Sequence, residues 1–531
     1  MALSSRVKVE LPKTGLIIRR NGRYRYVYKV LKAYRNDKGQ PTNDRRLIGR
    51  MDEKSGMLVP NDNYWELCTQ SSVEVLPSFD AVRSAGTVFV LGQVLDTLGV
   101  QEILDSTLGP ERANLVRNTA IYMTCKGNVM EGLLDWCEQH TVFGKALSSQ
   151  SSSVLFSSIT HDERKAFFRA WASQQVTPQY LSYDVTSFST YAKAIGDAEW
   201  GYNRDGNRLP QINLGCYLGQ ESGLPVFYVT YPGSIVNKSH LPYMMVYNAE
   251  LGIKDTTFVM DKGFCSTSNI GYLHDHHLPY IISVDASHKA TRSAVDLVRP
   301  DIVTMRRHIG AGIYAGCVRA RFYGQPSVMH VFFDPTLAEQ QRIDHYRTVE
   351  VYEETLSQLA QLTKREAKRY SDYFDIVLKE DGSFTFGRNY TKIDTAAGNA
   401  GFFCLLTSTE LSSTEILSVY RRRDVIEKGF DNLKNHLDMK RLRTHNADTT
   451  EGKLFVAFIA LIVVAQIEVK LGHFMREKSM SKDMLISELD KIKVIFASDD
   501  RRLMNPLTKT QRLILEAMGL TPDDLTAFVL R

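Results

Sequence analysis

SVYRRRDVIEKGFDNLKNHLDMK, residues 418–440, decides how the rest of the chain is read. Its only Gly or Pro is Gly429, and its apolar residues recur at helical spacing, which predicts one helix. At ~100° per residue, Tyr420, Arg423, Glu427 and Lys434 fall within an arc of roughly 60°. Val419, Ile426, Phe430, Leu433 and Leu437 take the adjoining arc, a face suited to a core. One side of the helix packs; the neighbouring side presents a carboxylate between two cations and a phenol. The plain alternative is a solvated helix with an Arg423–Glu427 pair at i, i+4. Acids placed on strands elsewhere in the chain separate the two readings.

Working back, Tyr180-Leu181-Ser182-Tyr183-Asp184-Val185-Thr186 is a short β-prone run carrying one acid. Strand-like runs at 211–218 and 225–231 follow, joined by Gly219-Gln220-Glu221-Ser222-Gly223 as a hairpin, and residues 241–251 read as a helix. Residues 256–264, TTFVMDKGF, are a further apolar strand that ends in Asp261 and a Gly turn; a helix and a strand at 279–284 come next. The order is β-β-β-α-β-α-β. An acid closing a buried strand is unfavourable unless it is paired or bound to a metal. One such acid is often a cap or a loop residue. Two, followed by Glu427 on a helix, are harder to explain that way.

The spacing Tyr-x2-Arg-x3-Glu-x6-Lys, with Asp-Val-Thr at 184–186 and Asp-Lys-Gly-Phe at 261–264, resembles the insertion-sequence DDE transposases of the YREK type. The resemblance covers most of the chain. It implies an α/β chain, α+β overall: an RNase H-like mixed sheet flanked by helices and interrupted by a large insertion. It implies Asp184, Asp261 and Glu427 as the catalytic acids and as ligands of two Mg2+ ions, with Mn2+ as a substitute. It also implies that Tyr420, Arg423 and Lys434 grip DNA phosphates near the reacting end. The chemistry suits these residues. Phosphodiester transfer develops charge on the attacking and leaving oxygens, and two metal ions about 3.5–4 Å apart can stabilise both. Hard cations take oxygen ligands, as Asp and Glu supply; Arg grips phosphate bidentately and Lys as a point charge.

The 165 residues between Asp261 and Glu427 exceed what the core needs. The family commonly carries a β-rich insertion there, which the runs at 313–322, 327–333 and 401–407 fit, while 337–370 reads as one long helix. Towards the C-terminus, 455–465 is an apolar run too short to span a bilayer and is expected as a buried helix. Two short apolar segments, 513–515 and 525–530, flank Gly519 and Pro522. In relatives such tails often serve protein contacts, so a homodimer in a synaptic complex is expected.

At the other end the charge is uneven. Residues 1–50 hold 14 Lys or Arg against Glu10, Asp37 and Asp44, a net of +11, and the remaining 481 sum to −6. Residues 23–30, RYRYVYKV, alternate with period two, so Arg23, Arg25 and Lys29 share one strand face and Tyr24, Tyr26, Tyr28 and Val30 the other. Asn36-Asp37-Lys38-Gly39 supplies turn chemistry, with a return strand at 45–50. This predicts an N-terminal basic β-hairpin whose Arg23, Arg25 and Lys29 lie along a phosphate backbone; a solubilising charged edge is the alternative. Residues 79–140 turn helical, with stops at Gly99 and Gly109; the pair is either a helix-turn-helix or ordinary packing.

These readings outline a basic β-rich region at 1–78, a helical region for recognising DNA ends at 79–175, and a core at 176–285 and 411–450. An insertion at 286–410 and a helical region at 451–531 complete it. With 531 residues, 43% hydrophobic, the chain can bury several cores. Seven cysteines, odd in number and never paired as CxxC, argue against a disulfide framework or zinc module and for a reducing compartment. No apolar leader opens the chain, so a cytoplasmic protein is expected, with duplex DNA at transposon end and target as partner and no membrane. Without GxxxxGK[ST] a nucleotide cofactor is not expected, and GxSxG is also absent. His274-Asp275-His276-His277 reads better as a polar turn than as a metal site. A metal-dependent nuclease that cuts without joining, or a catalytically silent DNA-binding descendant, are the rivals. The complete acid set speaks against silence.

Overall fold

The computed structural model describes residues 7–68, 79–174, 180–201, 209–285, 288–497 and 501–530. The chain divides into two units, Met1–Ala81 with Ile495–Leu503, and Val82–Val494 with Met504–Arg531.

The first unit carries a four-stranded antiparallel sheet ordered β1 (Leu16–Asn21), β2 (Tyr24–Arg35), β3 (Pro41–Met51), β4 (Leu58–Pro60), with α1 (Asp62–Cys68) on one face. β2 and β3 are the expected hairpin. Asn36 Oδ1 accepts from the backbone of Lys38 and Gln40 at 3.1 and 2.9 Å, and Gly39 takes a φ of +71°, which favours glycine. Val27, Ile48 and Leu58 are fully buried and pack with Tyr64 and Leu67 of α1. Arg25 and Lys29 share Val27's face by alternation, so the tyrosines occupy the face turned away from this core.

After β5 (Phe79–Ser84), the second unit begins with α2 (Gly86–Thr97) and α3 (Val100–Leu108), bent by 81° across Gly99 at φ +70°. α4 (Pro110–Lys126), α5 (Leu133–Gln139), α6 (Ser149–Ser158) and α7 (His161–Gln174) follow. Nine of the twelve residues of α2 are buried, and it packs on α3 and α4. The α2–α3 pair is therefore core packing rather than a protruding recognition helix.

The predicted β-β-β-α-β-α-β order is present as β6 (Tyr180–Ser189), β7 (Gln211–Gly219), β8 (Pro225–Pro232), α8 (Asn237–Glu250), β9 (Thr257–Met260), α9 (Thr267–Asp275) and β10 (Tyr280–Val284). In space these strands run β8-β7-β6-β9-β10; β6, β9 and β10 are parallel, and β7 runs antiparallel to both of its neighbours, β6 and β8. This is an RNase H-like mixed sheet. β6 is almost wholly buried because helices cover both faces. Tyr183 and Tyr217 lie 5.0 Å apart with their rings tilted by 35°, and Tyr183 meets Phe264 at 4.8 Å, on one side; Ser182, Asp184 and Thr186 alternate to the other.

The chain continues through α10 (Lys289–Val298), β11 (His308–Gly310), β12 (Ile313–Phe322) and β13 (Gln325–Phe333). α11 (Pro335–Gln358), α12 (Lys364–Tyr370), β14 (Phe374–Leu378), β15 (Phe384–Arg388) and α13 (Tyr390–Gly398) lead to β16 (Phe402–Thr407). The three strand-like runs of the insertion do not form a sheet of their own. β16 pairs with both β10 and β13, so β11, β12, β13 and β16 widen the same sheet to nine strands. The excursion between β13 and β16 has its own small core of Val349, Leu356, Leu362, Tyr370, Phe374 and Ile393. The helix expected over 337–370 is two, because Thr363 and Glu366 form a capping box that starts α12 afresh.

α14 (Ser413–Arg421) and α15 (Asp424–Asp431) return to the sheet, followed by α16 (Ala447–Glu477), α17 (Lys482–Asp490), α18 (Lys509–Met518) and α19 (Pro522–Leu530). The apolar run at 455–465 lies inside α16. At 31 residues α16 is long and apolar enough to cross a membrane, yet 83% of its most apolar stretch is buried inside the protein, against α4, α6 and β8. Gly452 permits the α6 contact, since a Cβ there would strike the backbone of Phe156. Leu525 and Val529 of α19 are buried within the chain itself, and Phe528 meets Phe89 of α2 at 5.4 Å.

Candidate active site

Asp184 and Asp261 leave neighbouring parallel strands at matching heights, because Tyr183 of β6 is in register with Met260 of β9. Asp184 lies within β6 and is buried; its Oδ1 accepts from the backbone N of Val185 at 2.7 Å. Asp261 is half-buried and caps the short turn Lys262–Phe264, its Oδ1 accepting from the Lys262 amide at 2.7 Å. Glu427 sits in the first turn of α15, exposed. α15 lies close on β7 because Gly429 has no Cβ; one would come within 2.8 Å of Leu218.

What joins these acids is Arg423. One guanidinium nitrogen lies 3.4 Å from Asp184 Oδ2 and another donates to Glu427 Oε1 at 2.5 Å. Burial opposes the charge of Arg423, but Tyr420, Asp184, Asp261 and Glu427 together raise its pKa above the ordinary arginine value. A single half-buried cation is thus held in the field of all three acids. Its carbon lies 5.7 Å from the centre of the Tyr420 ring. Tyr420 packs on Val259, Ile281 and Val419, and its hydroxyl reaches Ser283 of β10. Burial is the main reason its phenol is raised, against the pull of Ser283 and Arg423.

The single helix expected over 418–440 is corrected by the structure. α14 ends at Arg421, the backbone tightens with Arg423 N bonding Tyr420 O and Ile426 N bonding Arg423 O, both at 3.0 Å, and α15 starts anew. The ion pairs of Arg423 with Asp184 and Glu427 offset the i→i−4 bonds lost there, charge-assisted bonds being the stronger. Beyond α15 the chain widens into a π-helical turn, Asn432–His436, closed by Leu437 N to Asn432 O at 2.8 Å. Lys434 rides on this turn, partly buried. Such turns recur at functional sites.

Several supporting residues escaped the sequence reading. Buried Asn432 donates to Glu468 at 3.0 Å and accepts from Lys482, which pairs with Glu468 at 2.5 Å. Lys453 of α16 is buried and donates to Asn128 O, Asn128 Oδ1 and Leu442 O at 2.9, 3.1 and 3.2 Å. Asn128 in turn donates to the carbonyls of Asp438 and Arg441, and Ser189 exchanges backbone bonds with Lys440 and Leu442. The chain leaving Lys434 is thus tied to the end of β6. Only Lys453 left a trace in the sequence, as a lone cation opening an apolar run.

Of the other candidates, His276 bonds the Tyr272 carbonyl at 2.9 Å and stacks on its ring, as suits a polar turn. In the first unit, Arg23 lies 4.9 Å from the Tyr24 ring centre, Arg25 pairs with Glu53 at 3.5 Å and Lys29 donates to Thr14 O at 2.9 Å. Among the described residues no three His, Cys, Asp or Glu side chains form a ready-made metal cage. The donor chemistry of the acid set nevertheless fits a hard divalent cation: all three are carboxylates, and two of them already share the charge of Arg423.

A model of the transposase DDE domain matches residues 177–463, which contain all three acids and α14 to the first half of α16. A solved structure, the piggyBac transposase synaptic complex with hairpin DNA, is similar at 9% identity and a TM-score of 0.31, over 84% of this chain and 75% of that one. No curated protein matches the sequence.

Proposed function

This chain belongs to the transposases with a DDE domain, and from that premise we propose that it is a YREK-type enzyme. In this reading it cuts duplex DNA at the terminal inverted repeats of an insertion sequence and joins the freed 3′ ends to a target. The observation that carries it is that Arg423 pairs with Asp184 and Glu427, while Asp261 stands beside Asp184 at the end of the neighbouring strand. An exposed structural ion pair needs only one acid. Two carboxylates paired with one half-buried guanidinium, and a third on the adjacent strand acting on it through its charge, make a site with spare negative charge.

Asp184, Asp261 and Glu427 would hold two Mg2+ ions, or Mn2+ in their place. Bound there, the ions would supply positive charge for the attacking and leaving oxygens. The chain's own part is positioning. β6 and β9 fix the two aspartates, and Glu427 arrives on α15. Arg423 and Lys434 neutralise phosphate oxygens of the cleaved end, and Tyr420, braced by the core and Ser283, sets the orientation of Arg423. Two copies of the chain would bring two ends together in a synaptic complex.

The test is cleavage of a labelled duplex carrying the element's terminal repeat, with Mg2+ and with EDTA. Metal-dependent cuts at the repeat boundary, followed by products joined to a second duplex, are expected. Binding without cutting would overturn the enzymatic reading; cuts without joining would remove strand transfer from it.

A further inference from the structure

We propose that the tyrosine-bearing face of the N-terminal sheet is a docking surface for duplex DNA, engaged through Arg19, Arg45 and Arg50. This rests on reading the chain as one that acts on DNA, and it assigns the contact to the face opposite the one that alternation of Arg23, Arg25 and Lys29 suggested.

Register builds the surface. Arg19 of β1 and Arg50 of β3 stand on either side of Tyr26, and Arg45 stands opposite Val30. Directly paired residues share a face, so these three arginines join Tyr24, Tyr26 and Tyr28. Arg50 lies 4.7 Å from the centre of the Tyr24 ring and Arg45 5.5 Å from that of Tyr28; Arg23, from the adjoining turn, also covers Tyr24 at 4.9 Å. A guanidinium laid on a ring is pre-oriented and keeps its edge donors for an anion.

The two faces differ in how their charge is answered. On the core side Arg25 meets Glu53 at 3.5 Å and Arg46 meets Glu66 at 3.7 Å; past the register shift between Val30 and Lys32, Lys32 is paired in register with Asp44. The tyrosine face has no acid at any paired position of β1, β2 and β3. Among the described residues Arg19, Arg45 and Arg50 enter no ion pair. Three of the fourteen Lys and Arg of residues 1–50 therefore stand on this one surface without an ion-pair partner.

The spacing selects the partner. Arg19 and Arg50 are two strand widths apart, about 10 Å, and Arg45 lies four β2 positions further along, about 13 Å. Those spans match the phosphate edges of a B-DNA groove, ~12 Å across. A single-strand binder would offer open rings for bases to stack on. Here the rings are half-buried beneath arginines, which suits phosphates.

The test uses the full chain, a labelled duplex of arbitrary sequence and no divalent ion, with affinity followed against salt. Arg19→Ala/Arg45→Ala/Arg50→Ala should weaken binding at least tenfold and flatten the log–log salt slope by about 2.7, ~0.9 for each lost phosphate contact. A charge-matched control, Lys8→Ala/Lys32→Ala/Arg46→Ala, should keep the wild-type slope. If the triple variant does not fold, Arg19→Gln and Arg50→Gln singly should each lower the slope by ~0.9. Equal slopes for the test and control variants would overturn the proposal, as would tighter binding of a single strand or an RNA of equal length. The readout needs no chemistry. Arginine-dependent binding by a protein that never cuts would sink the enzymatic reading and keep this surface, and cutting with an unchanged slope would do the reverse.

Discussion

Arg423 and Arg50 are the same side chain in opposite surroundings. Arg423 is half-buried between α14 and α15, paired with two carboxylates and in the field of a third, so its charge is answered twice over. Arg50 lies on a sheet with a tyrosine ring beneath it and no carboxylate within an ion-pair distance. Between them stands Lys453, enclosed in α16 with only neutral oxygens, the Asn128 amide and two carbonyls. One cation organises acids, one is spare for a partner, and one holds the backbone in place. A tally of charges treats the three alike. What separates them is the partner each finds through the fold.

The largest effect expected from this comparison falls on the acids. Asp184→Asn, Asp261→Asn and Glu427→Gln should each lower cutting by on the order of 10³-fold or more, beyond the loss of a single electrostatic stabiliser. Folding and duplex binding should stay near wild type in each. Normal cutting by any of the three would remove that residue from the site.

Arg423→Gln comes next. Without the guanidinium, buried Asp184 loses its nearest counter-charge, which should destabilise the chain by about 2 kcal/mol. Added Mn2+ should raise the unfolding midpoint of this variant more than that of the wild type, since a divalent cation can replace the missing charge. A variant as stable as wild type, and equally indifferent to Mn2+, would mean the acids do not face Arg423 as described.

Lys453 gives a pH signature. Burial, and then the nearby Arg443, push its amine down to about 8. The unfolded chain holds that proton to ~10.4, so between these values the unfolded state binds more protons and stability rises with pH. This group should add about 3 kcal/mol as pH climbs from about 8 to ~10.4, recovering what its buried charge takes away below 8. Urea unfolding of wild type and Lys453→Met across that range checks it; the variant should lack this rise.

The smallest effect is the sharpest contrast. Arg50→Ala should change stability by no more than about 0.5 kcal/mol, as a surface charge without a partner would. A larger loss in calorimetry would make Arg50 a structural residue and weaken its role at a docking face.

The sequence made the site's strands legible because their signals are local. A β-prone run ending in Asp261 and a Gly turn needs no distant partner to be recognised, and Gly99 and Gly109 mark helix ends by their own φ values. The break at Arg422–Arg423 carries no Gly or Pro. It follows from a partner 239 residues away, Asp184, and no window around 418–440 contains that. The edge chosen by β12, β13 and β16 is likewise non-local, since a strand's own residues do not say which sheet it will join. In the N-terminal hairpin, alternation put Arg25 and Lys29 opposite the tyrosines, but Arg23, in the turn before β2, lies over the Tyr24 ring. Alternation could not say which face the Val27–Ile48–Leu58 core would take, and α1 decides that.

The most direct measurement on the central claim is cutting by Asp261→Cys in Mg2+ and in Mn2+, with the wild type alongside. If the carboxylate is a metal ligand, a thiolate in its place should fail with Mg2+, which demands oxygen, and regain measurable cutting with the softer Mn2+. Wild-type cutting in Mg2+, or the same residual rate in both ions, would contradict the assignment of Asp261, and with it the reading of the three acids as a metal-holding set.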